Sequence, residues 1–237
     1  MAFLIKQQTE KLQEKSQQPQ PEKPAARPAA APARPKGGQG WVFTNCLIIV
    51  AHPDDEILWA GGLMLLHHET RWTVITLTSQ SDPDRSAKFN NVMKRLGAKG
   101  IMGNLVDGPE QKPFAEKDIR KTILSLLPMD KFDMVLTHSR WGEYTKQLRH
   151  EETSKAVLAM YNTKELPAKQ MWMFAYEDGG GKYLPKPSRD ADVSVWLPEN
   201  IAQEKYKIIT ELYGHAADSF EAKACPKREA FWTLGAK

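Results

Sequence analysis

Short apolar runs alternate with helix-like segments along the chain from Trp41 onward. Residues 46–50, 72–78 and 134–137 are continuous apolar runs rich in β-branched residues, which is the pattern of strands buried on both faces of a parallel sheet. Residues 101–106 and 170–175 predict two further strands, and residues 193–197 alternate as an added strand, parallel or antiparallel, would.

Helical spacing fills the intervals between these strands. Phe89, Val92, Met93 and Leu96 recur on one face of residues 85–96, and Gly97 follows as a helix stop. The other predicted helices span residues 57–68, 118–127, 151–161 and 200–213. Strands that alternate with helices predict a single α/β domain over residues 41–237, Rossmann-like, with a mostly parallel sheet and helices on both faces.

Residues 1–40 have a different composition, rich in Gln, Pro, Ala and basic side chains. Such a segment cannot bury enough apolar surface to offset its ordering entropy, so we expect a disordered basic tail. The tail carries seven Lys or Arg and three Glu, a net charge of +4, which equals that of the whole chain. The remainder therefore has no net charge, and nucleic acid is not expected as its partner. A docking role for the tail, with an unknown partner, is the alternative to a merely solvated segment.

The cysteine content and the absence of long apolar runs indicate the cellular compartment. The two cysteines, Cys46 and Cys225, form neither a disulfide framework nor a zinc ribbon, and Cys46 lies within a predicted core strand. No apolar run approaches the roughly 18 residues of a membrane span, and residues 1–6 lack the apolar segment of a secretory signal. The expected localisation is cytoplasmic.

The chemistry concentrates in His52-Pro53-Asp54-Asp55-Glu56, directly after the first predicted strand. Open α/β sheets bind their ligands at the carboxyl ends of the strands. His52 and Asp55 could there ligate a divalent metal ion, while Asp54 acts on the attacking water. The alternative is that one Asp merely caps the following helix, but a cap requires no His.

This motif resembles the opening motif of the PIG-L/LmbE-like family of zinc-dependent N-deacetylases. The resemblance extends to Gly61-Gly62 and, downstream, to Gly142-Glu143-Tyr144 and His150-Glu151-Glu152. It implies Zn²⁺ as cofactor, and His52 and Asp55 as ligands. Catalytic zinc usually takes three protein ligands, so a third has to come from elsewhere.

The resemblance also suggests the third ligand. The family usually has an HxxH sequence after the predicted strand at 134–137, with its second His as ligand, and this chain has Gln147-Leu148-Arg149-His150 there. His150 is therefore the expected ligand, with His138 as the alternative. His67, His68 and His215 fall at predicted helix ends, where a solvent-exposed or helix-capping role is expected.

Asp54 is then the expected general base, which takes a proton from water and passes it to the departing amine. Gln147, a neutral hydrogen-bond donor at the position of a family His, is expected to stabilise the oxyanion. Candidate substrate contacts share a place in the loops at the carboxyl edge: Arg85, Asp107, His138, Trp141 and Tyr144. Asp82 and Asp84 are weaker candidates, Trp172 is expected in the core, and Gly179-Gly180-Gly181 suggests a mobile loop. Lys88 stands where many relatives have Glu, which leaves the precise substrate open.

Three functions compete on this evidence. The resemblance implies removal of the N-acetyl group from a GlcNAc-type amino sugar in a small-molecule or glycoconjugate substrate. A catalytically weakened sugar-binding protein of the same fold is the alternative, motivated by Gln147, although the presence of Asp54 argues against it. A nucleotide enzyme ranks last, because no G-x-G-x-x-G follows the first strand and two Asp would repel a pyrophosphate.

Overall fold

A seven-stranded sheet forms the centre of the protein, with strand order β3-β2-β1-β4-β5-β9-β8. The structure is a computed structural model and describes residues 43–235; the predicted tail at 1–40 lies outside this range. Strands β3, β2, β1, β4 and β5 run parallel, whereas β9 pairs antiparallel with both β5 and β8. The main-sheet strands are β1 Asn45–Val50, β2 Arg71–Thr78, β3 Lys99–Leu105, β4 Phe132–Thr137, β5 Ala168–Phe174, β8 Val193–Trp196 and β9 Arg228–Leu234. The predicted α/β fold with a mostly parallel sheet is confirmed.

Helices cover both faces of this sheet, because alternate side chains of β1 enter two separate cores. Cys46, Ile48 and Val50 pack in one core and Leu47 and Ile49 in the other, all of them fully buried. The first core contains α1 Asp55–Leu66, α2 Pro83–Leu96 and α5 Glu199–Lys207; the second contains α3 Glu116–Leu126 and α4 Leu148–Asn162. The expected core positions of Cys46 and Trp172 are confirmed.

Several elements were absent from the sequence-based prediction. They are β9, the short hairpin of β6 Tyr176–Glu177 and β7 Lys186–Pro187, and α6 Phe220–Ala224. The predicted helix at 200–213 divides into α5 and a π-helical turn, Ile208–Leu212. Helix α4 begins at Leu148, so His150 lies in its first turn and not in the preceding loop. Within residues 43–235, no helix has both the length and the apolar character needed to cross a membrane.

Candidate metal centre

The turn between β1 and α1 presents the acidic motif in a strained backbone conformation. Asp54 precedes the first residue of α1 with φ of 105°, in a region that is costly for a residue with a side chain. Its carbonyl oxygen accepts from Ile57 N and Leu58 N, but its side chain makes no capping hydrogen bond. The Asp55 carboxylate accepts from His52 N at 2.9 Å and closes the turn. Helix capping therefore does not account for the Asp54 side chain, which is left for other interactions.

Three potential ligand atoms meet beside this turn. His150 Nε2 lies 3.3 Å from His52 Nδ1 and 3.4 Å from Asp55 Oδ1, and His52 Nδ1 lies 3.3 Å from Asp55 Oδ2. Ligands at about 2.0–2.1 Å from a tetrahedral zinc ion are separated by about 3.3–3.4 Å. Because the two contacts of Asp55 use different oxygens, one atom from each of His52, Asp55 and His150 lies within 4.8 Å of the others, a spacing that a single metal ion could bridge.

Carboxylates on the far side of both imidazole rings fix the protonation of the ring nitrogens. His52 Nε2 donates to Asp107 Oδ2 at 2.6 Å, and His150 Nδ1 donates to Glu143 Oε2 at 2.6 Å. Each ring therefore turns an unprotonated nitrogen toward the other ligands, in the carboxylate–histidine arrangement found around protein-bound zinc. Asp107 was predicted as a substrate contact; in this structure its hydrogen bond to His52 lowers its pKa.

His138, the alternative ligand, has no nitrogen to spare. Its Nε2 accepts from Ala51 N at 2.9 Å, and its Nδ1 donates to Glu143 Oε2 at 2.8 Å. The side chain is fully buried and its ring stacks on His150 at 3.9 Å between centroids. In this structure both ring nitrogens of His138 have protein partners behind His150, and its substrate contact stays a prediction.

The buried carboxylates of the cluster favour a bound cation. Asp55 and Glu143 are buried, and among residues 43–235 both lie within ion-pair distance of histidines only. Burial by itself would raise the pKa of Glu143, but its interactions with His138 and the hydrogen bonds from both histidines lower it to about 2. Two buried carboxylates facing unprotonated ring nitrogens form a donor set that suits a divalent ion.

His215 adjoins this centre, contrary to the expectation of a solvent-exposed helix end. Its Nε2 lies 2.9 Å from Asp54 Oδ2, and its Nδ1 lies 3.3 Å from Glu221 Oε2. Burial raises the pKa of Asp54, an effect that the His215 hydrogen bond partly offsets. A carboxylate with a raised pKa accepts a proton more readily than an ordinary Asp does, which suits a general base. The local sequence of residues 200–215 does not predict this contact, because 161 positions separate Asp54 from His215.

Two cavities open beside the cluster, and Arg85 lines both. The first, about 280 Å³, also contains Asp107, and the second, about 220 Å³, contains Asp54, Lys88 and His215. The only hydrogen bond that Arg85 donates from its side chain, within the described residues, is a long one of 3.5 Å to the Pro53 carbonyl oxygen. A guanidinium group with so little protein bonding is available to a polar ligand in either cavity.

The nearby acidic side chains of α2 have structural partners instead. Asp82 accepts from Asp84 N and Arg85 N and caps the helix, while Asp84 pairs with Lys88 at 2.7 Å. His67 is the C-terminal cap residue of α1, as expected, and the His68 side chain is 74% exposed.

The remaining candidates lie on the loop before α4. Trp141 is largely exposed, whereas Tyr144 packs edge-on against His150 and also contacts Phe220. Gln147 is the N-cap residue of α4; its side-chain oxygen is buried without a hydrogen-bond partner among residues 43–235. The unpaired atom is an acceptor, whereas the predicted oxyanion contact requires the N–H group of this side chain, so the catalytic role of Gln147 stays a prediction.

A glycine turn is joined to the same loop. Gly179, Gly180 and Gly181 all have positive φ, which explains the run of glycines. The preceding Asp178 accepts from both Thr145 N, at 2.6 Å, and Thr145 Oγ1, at 2.9 Å. The turn is thus tied to the loop before α4, and gating of the site by its motion remains a prediction.

Comparisons with known proteins agree with this fold and motif. Residues 47–161 match the PIG-L family model, described as GlcNAc-PI de-N-acetylase. A curated relative, the uncharacterized protein L374 of Acanthamoeba polyphaga mimivirus, is 28% identical over 125 residues, which are 46% of this chain and 54% of the relative. The chain thus spans about half the length of the curated relative that it matches.

Solved structures share the fold at low sequence identity. The N,N'-diacetylchitobiose deacetylase of Pyrococcus horikoshii superposes with a TM-score of 0.61 and 16% identity over 81% of this chain and 84% of that one. A deacetylase of the teicoplanin biosynthesis pathway gives 0.57 and 14%, over 80% and 97%. GalB, the 4-carboxy-2-hydroxymuconate hydratase of Pseudomonas putida KT2440, gives 0.56 and 14%, over 82% and 97%. At these identities the likeness concerns the fold alone.

Fold, motif and family match together show that this chain, built on a mostly parallel sheet, is similar to deacetylase-type hydrolases. The predicted resemblance to the PIG-L/LmbE-like family is confirmed by the match over residues 47–161.

Proposed function

We propose that the protein is a zinc-dependent hydrolase that removes the N-acetyl group from a GlcNAc-type amino sugar carried by a larger glycoconjugate. The observation that carries the proposal is the convergence of His52 Nδ1, the Asp55 carboxylate and His150 Nε2, each within 3.4 Å of the other two, next to the Asp54 carboxylate. We also keep the cytoplasmic localisation as a proposal, to be checked by cell fractionation.

The donor set fits zinc better than magnesium or calcium. Two imidazole nitrogens and one carboxylate make up the three-ligand set of a catalytic zinc site, whereas magnesium and calcium prefer oxygen ligands. A zinc ion, when bound, would polarise the acyl carbonyl and make water a stronger nucleophile at neutral pH. The family description, a GlcNAc-PI de-N-acetylase, supports the choice of amide and sugar.

The side chains of this chain then have distinct tasks. Asp54 accepts the proton of the attacking water and later gives it to the departing amine, so that the amide ends as acetate and a free amine. Gln147, whose side chain lies at the start of α4, donates a hydrogen bond from its amide N–H group to the oxyanion. Arg85 binds polar groups of the sugar from its place between the two cavities, and Trp141 offers an exposed ring for the sugar or its carrier.

The test combines metal analysis with acetate release from a panel of N-acetyl amino sugars, free and in glycoconjugates. We expect one zinc per chain, activity that a chelator removes and zinc restores, and no turnover by Asp54→Asn. His150→Ala should lose zinc with the fold intact, whereas His138→Ala should keep most of it, because His138 has no free nitrogen. Zinc retained by His150→Ala but lost by His138→Ala would contradict the ligand assignment.

The same assay separates the alternatives. A weakened sugar-binding protein would bind members of the panel without releasing acetate. Since the fold is shared with a hydratase, a failure to release acetate from any N-acetyl sugar, in a zinc-loaded protein, would exclude the proposed reaction while leaving the metal centre intact.

A further inference from the structure

The His215 ring is held between two carboxylates. Nε2 lies 2.9 Å from Asp54 Oδ2 and Nδ1 lies 3.3 Å from Glu221 Oε2. An ionised Asp54 oxygen only accepts hydrogen bonds, so Nε2 carries a proton. Nδ1 lies at ion-pair distance from Glu221, whose negative charge favours a proton there as well, and a histidine with both nitrogens protonated is an imidazolium cation. The two carboxylates therefore favour a positive charge on His215, next to the predicted general base.

The fold holds this ring in place from both sides. The π-helical turn Ile208–Leu212 ends at Tyr213, whose hydroxyl donates to Glu56, and Glu56 accepts from Asp54 N. Gly214 then takes a φ of 78°, and His215 N returns to the Ile209 carbonyl. These contacts brace both the strained Asp54 backbone and its side chain from the C-terminal part of the chain. A π-turn at such a place is often associated with function.

The other charges around the ring oppose each other. Arg85 and Lys88 line the same cavity, and their positive charges disfavour protonation of His215. The carboxylates of Asp54 and Glu221, at 2.9 and 3.3 Å from the ring nitrogens, favour it. The hydrogen bond to Asp54 outweighs the effect of partial burial, so the pKa of His215 is raised. The balance agrees with the geometric assignment.

We propose that His215 is the positioning residue for the catalytic carboxylate, an imidazolium that orients Asp54 and stabilises its negative charge. This proposal rests on the proposed function. The proton of the attacking water passes to Asp54 Oδ1, the oxygen not bonded to His215, and from there to the departing amine. His215 keeps both of its protons throughout, so it stabilises the charge of Asp54 without taking part in the transfer.

The first test uses no substrate and is therefore independent of the proposed reaction. In zinc-loaded protein labelled with ¹⁵N-histidine, both His215 nitrogens should show imidazolium shifts at pH 7.5, the signals being assigned by their loss in His215→Gln. Glu221→Gln removes one carboxylate and should lower the titration midpoint of His215 by about one pH unit. A neutral His215 ring at pH 7, or a midpoint unmoved by Glu221→Gln, would overturn the proposal.

The second test measures turnover on an active N-acetyl sugar. His215→Gln keeps an N–H donor for Asp54 but carries no charge, so kcat should fall by roughly 10²-fold with KM and zinc content unchanged. The basic limb of the wild-type pH–rate profile, which we assign to deprotonation of His215, should disappear in this variant. His68→Gln, at an exposed position, is the matched control and should keep the wild-type rate. A kcat within twofold of wild type, or a loss of bound zinc, would contradict the positioning role.

Discussion

Glu143→Gln provides a sharp test of the metal centre, because one carboxylate supports two histidines. Glu143 Oε2 accepts from His138 Nδ1 at 2.8 Å and from His150 Nδ1 at 2.6 Å, while Oε1 accepts from Ser139 N at 2.8 Å. All of these groups are buried. The substitution preserves shape and removes both the charge and one of the two acceptor atoms.

The magnitude follows from the hydrogen bonds that the amide cannot make. In one orientation its NH₂ group faces two ring N–H donors, and in the other it faces the Ser139 N–H. Each buried donor left unpaired costs about 1–3 kcal/mol, so we expect the free energy of unfolding of the metal-free protein to fall by at least about 2 kcal/mol if both rings lose their acceptor. His150 is also released from its Nδ1–H tautomer. Loss of such an outer partner typically weakens metal binding 10–100-fold, about 1.4–2.8 kcal/mol.

The assay is a zinc competition titration with a chromophoric chelator, together with urea unfolding of the metal-free protein. Glu151→Gln is the matched control: it changes an exposed carboxylate in the same turn of α4, adjacent to His150, and should leave zinc affinity unchanged. A zinc affinity of Glu143→Gln within twofold of wild type would refute the claim that Glu143 fixes the tautomer of the ligand histidine.

Three other predictions each concern a single side chain. Gln147→Ala should lower kcat by roughly 10²-fold without loss of zinc; unchanged kinetics on the true substrate would show that the side chain does not reach the oxyanion. Glu229→Ala should reduce the free energy of unfolding by about 3–5 kcal/mol, because it leaves the fully buried Lys205 ammonium without the carboxylate that lies 2.8 Å from its Nζ atom. A loss of less than about 1 kcal/mol in urea denaturation would contradict this prediction. Burial raises the pKa of Glu56 to about 8, so the folded state keeps a proton that the unfolded state loses above pH 4.5. The free energy of unfolding should therefore fall as pH rises from 4.5 to 8, by up to about 1.4 kcal/mol per pH unit. Glu56→Gln should flatten this dependence in thermal melts at pH 5, 7 and 9. Equal pH dependence in the wild type and the variant would contradict the assignment.

Local sequence determined which segments form the parallel strands and where the motif follows the first of them. The apolar run ending at Val50 could only be a buried strand in a chain of this pattern, and a polar His-Asp-Asp segment after it had to lie at the carboxyl edge of the sheet. His52, Asp55 and His150 were selected by motif resemblance, and the structure brings their ligand atoms together. Residues 1–40, read as a disordered tail, lie outside the described range, so this domain boundary stays a prediction.

Only the tertiary structure decided which groups surround the motif. Strand β9 inserts antiparallel between β5 and β8, which no local period specifies, and brings Glu229 to the backbone N–H groups of Gly62 and Leu63. Glu143 was noted only as part of a motif, yet its position lets one oxygen bond two histidines. His215 looked like an ordinary helix end. Contacts between residues more than a hundred positions apart depend on how the helices pack on the sheet. Hydrophobic periodicity predicts which face of an element is buried, but it does not predict which other element packs against that face.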